Sequence, residues 1–196
     1  IVLLDPNNQN GNKTPIDIKR LIDFSLNDRN MVRVGGGEQL AYMPSKHFKL
    51  SVDKEKVVAN GTVAVEDTAK IVDEVVWSLN KSYILKNTYL ALSLIANFDW
   101  DRPIYFAVTT GPDAYMGLMD YFELEGLAYR FVPIKHGKNS GNPNLYGKVN
   151  ADVMYDNVMN KFSWGGMDDK DIYMDENNRR MTTNFRLQFN NLAEQL

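Results

Sequence analysis

Glu74-Val75-Val76-Trp77-Ser78-Leu79 opens the stretch whose reading decides the fold. It is β-branched and aromatic, as a strand should be. Asn87 to Asn97 follows with apolar residues at helical spacing, and Ile104 to Val108 is a short continuous strand of the buried type. Pro112 and Asp113 then open a helix expected to run through Phe122, Gly126 ends it, and Leu127 to Ile134 supplies another strand. Connections of this length in a β-α-β-α-β order wind right-handed into a parallel sheet covered by helices. The expected fold class is therefore α/β: a Rossmann-like sheet, mainly parallel, with flanking helices, an N-terminal β-hairpin or meander and a C-terminal helical appendage.

Outward from this centre the punctuation is clear. Asp5 to Lys13 is rich in Asn and Gly and reads as a loop, and Thr14 and Pro15 offer an N-cap and first helical position for a helix to about Leu26. Phe48, Leu50 and Val52 alternate with polar neighbours as in a half-buried strand, and Asn60-Gly61, flanked by Val57, Val58, Val63 and Val65, is a tight-turn signal suggesting a hairpin or an extended meander. Toward the end, His136 to Gly147 reads as a surface loop and Ala151 to Lys161 as a helix. Trp164-Gly165-Gly166 is a break, and a last helix begins near Glu176. Phe185, Phe189, Leu192 and Leu196 keep helical spacing to the last residue. The expectation is an α/β domain over residues 1–178. Residues 179–196 would start a helix leading into helical repeats of a larger parent.

With 196 residues and 44% hydrophobic content, one domain with a real core is the natural reading. A net charge of -3 gives no broad basic field, so neither nucleic acid nor lipid contact is expected of this segment. The longest mostly apolar run, Tyr89 to Phe98, is about half of the roughly 20 residues a spanning helix needs, and the chain is expected to be soluble. The absence of cysteine excludes disulfides, thiolate nucleophiles and Cys-type zinc sites.

Candidate sites are few. Thr109-Thr110-Gly111 falls where a parallel strand would hand over to a helix, and such carboxyl-end crevices hold ligands in open α/β sheets. A free-standing nucleotide-binding or small-ligand protein or enzyme using that crevice is the alternative function. Asp168, Asp169, Asp171, Asp175 and Glu176 could ligate calcium but lack EF-hand spacing, and carboxylates before a helix suit its N-terminal dipole. His47 and His136 lie too far apart to suggest a metal centre, and no cofactor is expected. Glu123 and Glu125 near Tyr129 and Arg130 suggest an acid–base pair, but Glu125 reads better as one half of an ion pair with Arg130 or Arg102. Trp100, Tyr105, Tyr115, Tyr121, Tyr129 and Trp164 offer rings for sugar or peptide stacking, with core packing as the default. Among these positions, Trp100, Arg102, Tyr105, Thr109, Thr110, Gly111, Tyr115, Glu125, Tyr129 and Arg130 are the candidate binding residues.

Longer strings carry a resemblance. Asn97-Phe98-Asp99-Trp100-Asp101-Arg102-Pro103-Ile104-Tyr105-Phe106-Ala107 and Tyr121-Phe122-Glu123-Leu124-Glu125-Gly126-Leu127-Ala128-Tyr129-Arg130-Phe131-Val132-Pro133-Ile134 are two of them. With Pro44-Ser45-Lys46, Val52-Asp53-Lys54, Tyr155-Asp156-Asn157, Lys161-Phe162-Ser163-Trp164-Gly165-Gly166 and the Asn184-Phe185-Arg186 helix, they resemble the soluble region after the membrane spans in large bacterial proteins similar to protein O-mannosyltransferases. The resemblance implies a multi-span parent in the cell inner membrane that takes sugars from polyprenyl-phosphate donors. It places this domain on the periplasmic side and the chemistry on membrane loops outside this chain, so no catalytic residue carries over. The implied role is to position an acceptor polypeptide or glycan, a donor, or the remainder of the parent. Asp67-Thr68-Ala69 also resembles a short bacterial O-glycosylation acceptor, and equally a helix start capped by Asp67.

Overall fold

The computed structural model describes residues 1–6, 13–137, 142, 145–163, 165–167 and 169–196, so the expectations for Trp164 and Asp168 lie outside the described residues. The chain forms two compact units: Ile1–Pro103 with Gly111–Met119 and Pro133–Lys135, and Ile104–Thr110 with Asp120–Val132 and His136–Leu196.

The first unit holds two small sheets. β1 (Val2–Leu4) lies between β4 (Gln39–Met43), parallel to it, and β7 (Tyr83–Ile84), antiparallel, while β3 (Met31–Arg33) edges β4. β2 (Ile16–Asp17), β5 (His47–Ser51) and β6 (Glu74–Ser78) make the other. The β5–β6 ladder shows why these residues form strands. Phe48 and Trp77 stack at 5.4 Å on the buried side with Leu50 and Val75, while Lys49 meets Glu74 at 2.6 Å and His47 meets Ser78 at 2.7 Å on the other. α1 (Ile18–Ser25) is capped by Asp17, which accepts from the Arg20 amide at 3.1 Å, and buries Ile18, Leu21, Ile22 and Ser25 at helical spacing. α2 (Lys54–Ala59) is capped likewise by Asp53, and α3 (Lys86–Asn97) buries Leu92, Ile95 and Ala96.

The second unit is built on one four-stranded sheet, ordered β11 (Lys148–Val149), β9 (Phe122–Leu124), β10 (Ala128–Phe131), β8 (Tyr105–Ala107). α4 (Ala151–Asp156) runs into a wider π-helical turn, Asn157–Lys161, and α5 (Glu176–Ala193) starts at Asp175, whose carboxylate accepts from the Asn178 amide at 2.8 Å. Phe162 meets Phe185 edge-on at 5.8 Å.

The Rossmann-like reading is overturned: the described residues form a mixed α/β fold with three small sheets, and five of their eight ladders are antiparallel. The expected parallel neighbours, Glu74 to Leu79 and Ile104 to Val108, belong to different sheets, and the latter runs antiparallel to β10. A parallel pairing needs a long crossover, usually a helix. The expected helix through Phe122 is instead two 3₁₀ turns, Pro112–Tyr115 and Met119–Tyr121, followed by strand β9. Met116 (φ 51) and Gly117 (φ 79) break it, and Gly117 lies so near the Ser78 carbonyl that a Cβ would stand 2.5 Å away. The expected hairpin at Asn60-Gly61 is the C-terminal end of α2, since an Asn-Gly pair serves a helix end as readily as a hairpin. Thr14 and Pro15 precede β2, and Asp17 takes the capping role expected of Thr14. Asp67 lies within a 3₁₀ turn, Val65–Lys70, rather than at a helix cap.

Among the described glycines of the second unit, Gly147 makes the closest approach to neighbouring backbone. At φ 63, its Cβ would lie 1.9 Å from the Phe122 carbonyl oxygen. Gly147→Ala is expected to destabilise the fold by about 3 kcal/mol or more, whereas Gly35→Ala, facing open space, should stay within about 0.5 kcal/mol. Urea denaturation of the two variants measures the difference.

Candidate functional site

Strand β9 alternates strictly: Phe122 and Leu124 point one way, Glu123 the other, and Glu125, the next residue, continues the acidic side. A two-residue turn at Gly126-Leu127 returns the chain into β10, with Gly126 at φ 125 and the Glu125 amide donating to the Ala128 carbonyl at 3.1 Å. The ladders then align Lys148, Glu123, Arg130 and Tyr105 in one row across all four strands. Ala107 and Ala128 form a small-residue pair two rows on, the next on the same face.

On this polar face the Tyr105 hydroxyl donates to Glu125 Oε2 at 2.8 Å, and Arg130 Nη1 stands 3.5 Å from Glu125 Oε1. The Glu125 side chain is only 5% exposed, the Tyr105 residue 47%. Beside them Glu123 accepts from Asn150 Nδ2 at 3.2 Å and lies 3.4 Å from His136 Nε2. The π-helical turn brings Asn157 Nδ2 to the Glu125 carbonyl at 2.7 Å. Burial, the Glu125 hydrogen bond and the Glu125 charge hold the Tyr105 phenol above its ordinary value of 10.0, with Arg130 opposing them.

The opposite face is aromatic. Phe122 packs on Phe106 at 5.0 Å and on Tyr129 at 5.4 Å, and Tyr129 meets Tyr146 at 5.9 Å. Of the sequence candidates, the structure thus brings Tyr105, Glu125 and Arg130 together and turns Tyr129 into the core. Thr109 and Thr110 are exposed after an edge strand, with the Thr110 amide and hydroxyl both donating to the Ala107 carbonyl at 3.2 and 2.9 Å. Tyr121, also offered as a stacking ring, is 3% exposed and packs within this unit.

In the first unit Tyr115 is 1% exposed and Trp100 2%, both core, while Arg102 is exposed and Gly111 leads into a four-residue 3₁₀ turn. Trp100 sits at φ 57 after Asp99 at φ 48, an unusual backbone for a bulky residue. Its indole donates to the Ser51 carbonyl at 3.0 Å, its own carbonyl accepts from Asn60 at 2.6 Å, and Lys56 bridges Asp101 and Asp99 at 2.7 and 2.9 Å. Hydrogen bonds to Asp101, then Asp99, raise the Lys56 ammonium above its ordinary 10.5. Asp175 caps α5 and Glu176 lies in its first turn, the dipole role expected of the acidic loop. Among the described residues no group of three or more His, Asp or Glu is placed to hold a metal ion. His136 and Asn150 were not legible as partners of Glu123, because both arrive from distant segments. The helix end expected at Glu125 would set Glu123 and Glu125 on different faces; as a strand, Phe122–Leu124 sets both on one.

The family described as TMEM260-associated domain 2 matches residues 1–153. The chain belongs to that family. No curated protein and no solved structure matches it. The family region covers Tyr105, Glu123, Glu125, Arg130, His136 and Asn150 and ends inside α4, before Asn157.

Removing one member of a buried charge pair strands the other. Arg130→Met should destabilise by about 3 kcal/mol, and a paired Glu125→Leu should recover much of it, as urea midpoints would show. Tyr105→Phe should cost about 1 kcal/mol. Because the folded phenol is raised, Tyr105 stabilises fully below the ordinary value of 10.0 and loses that contribution as pH climbs above it. Phenolate absorbance of the chain minus that of Tyr105→Phe should show one tyrosine titrating late.

Proposed function

We propose that this chain is a non-catalytic, extracytoplasmic domain of a membrane glycosyltransferase-like protein, on the periplasmic side of an inner membrane. There it positions an acceptor polypeptide or glycan, a donor, or a neighbouring domain of its parent. The family name ties the chain to TMEM260, a protein O-mannosyltransferase candidate, in keeping with the resemblance of the longer strings. The observation that carries the reading is the exposed Tyr105 ring fixed by its hydroxyl to the buried Glu125. A ring already held in place loses little freedom on binding and offers apolar area with a polar edge. Glu123 and Glu125 are engaged by Asn150, His136, Tyr105 and Arg130, an arrangement suited to holding a surface rather than moving a substrate proton. The alternative site at Thr109 to Gly111 rested on a parallel sheet and loses its footing with it.

Titration of the isotope-labelled chain with unstructured peptides and with mannose oligosaccharides is expected to shift amide resonances of Tyr105 to Ala107 and Ala128 to Arg130. Tyr105→Ala should abolish the shifts, and resonances unmoved by every probe would sink the binding role. In the parent, Glu125→Gln should raise KM for the acceptor with kcat nearly unchanged. A kcat loss of about 10²-fold or more would instead give Glu125 a chemical role.

A further inference from the structure

Helix α3 buries Leu92, Ile95 and Ala96, yet on its outer face Leu90 and Leu94, one turn apart, are 54% and 70% exposed. Surface helices ordinarily carry polar side chains there. Leu85 at the N-cap and Tyr83 on β7, each 53% exposed, are further exposed apolar side chains in the segment that leads into the helix. The segment itself is one-sided in charge. From Val75 to Phe98 there is no Asp or Glu, although the chain carries 25 acidic residues, and the exposed Lys86 shares the helix face with Leu90 and Leu94. Lys81 lies at the margin, paired with Asp113 at 3.0 Å.

This combination discriminates between occupants. A stable pairing of two copies needs about 800 Å² per partner, and two leucines flanked by Leu85 and Tyr83 offer on the order of half that. An anionic bilayer uses each element present: leucines for the boundary between headgroups and acyl chains, lysine for headgroup phosphates, tyrosine for the interface. No helix among the described residues is long and apolar enough to cross a membrane, and α3 has 12 residues, so the contact is in the plane of the surface. We propose that the outer face of α3 docks on an anionic lipid surface. This departs from the expectation, drawn from net charge, that the segment makes no lipid contact. It stands apart from the Tyr105 reading, which concerns the other unit.

Co-sedimentation of the full chain with vesicles of phosphatidylcholine alone, and of phosphatidylcholine with equimolar phosphatidylglycerol, tests it. The chain should bind the mixed vesicles preferentially and release with salt. Leu90→Ser with Leu94→Ser should weaken that binding about tenfold or more, with thermal melts confirming that the fold is kept. Lys86→Glu should weaken binding to the mixed vesicles alone. The proposal is overturned by absence of binding to the mixed vesicles, or by binding indifferent to the leucine changes. Ultracentrifugation showing a lipid-free dimer that the leucine changes dissolve would assign the face to a second copy and overturn it equally.

Discussion

A carboxylate cannot leave water unaccompanied, and much of the second unit follows from meeting that condition twice on one strand. Glu123 and Glu125 are both withdrawn from solvent, so each needs compensating groups that its own strand cannot supply. Arg130 and Tyr105 come from the next two strands, Asn150 from the cap of α4, and His136 from beyond the sheet. Asn150 thus serves two ends: its side chain caps α4 through the Val153 amide while also meeting Glu123. The aromatic stack on the reverse face depends on the same register. A slip of one residue would drive the carboxylates among Phe106, Tyr129 and Phe131.

What could be read beforehand was local and periodic. The β5 strand around Phe48 and Leu50, the helices at Lys86–Asn97 and Ala151–Lys161, and the final helix from Glu176 all announced themselves by spacing. The stretch from Pro112 to Phe122 misled because its composition suits a helix while Met116 and Gly117 take left-handed backbone, with Gly117 packed close to the carbonyl of Ser78, a residue far back in the chain. Asn60-Gly61 misled for another reason: left-handed backbone is required equally by hairpins and helix ends, and only tertiary context chooses. Of the site, the Glu125–Arg130 pair was legible because only four residues of hairpin separate them. Which ring would face outward was not: Tyr105 and Tyr129 stand on adjacent strands and differ only in the side of the sheet.

The first unit rests on a different device. Trp100 holds a backbone conformation that bulky residues avoid, and it does so because indole, carbonyl and both flanking carboxylates are engaged by Ser51, Asn60 and Lys56. The Asp99-Trp100-Asp101 string, read first as part of a resemblance and as a stacking surface, is therefore a clasp joining the end of α3 to α2 and β5.

The partition of the chain also bears on how this domain can be inherited. The segments assigned to each unit alternate along the sequence, with Gly111–Met119 and Pro133–Lys135 completing the first unit from within the stretch that builds the second. Ile134 closes a bridge with Ile71, and the Pro133 carbonyl accepts from the Val72 amide, so the return is structural. No single cut in a gene would separate two such units. Recombination must carry them as one cassette, and any fragment ending near Pro103 would leave the first unit without its last ties.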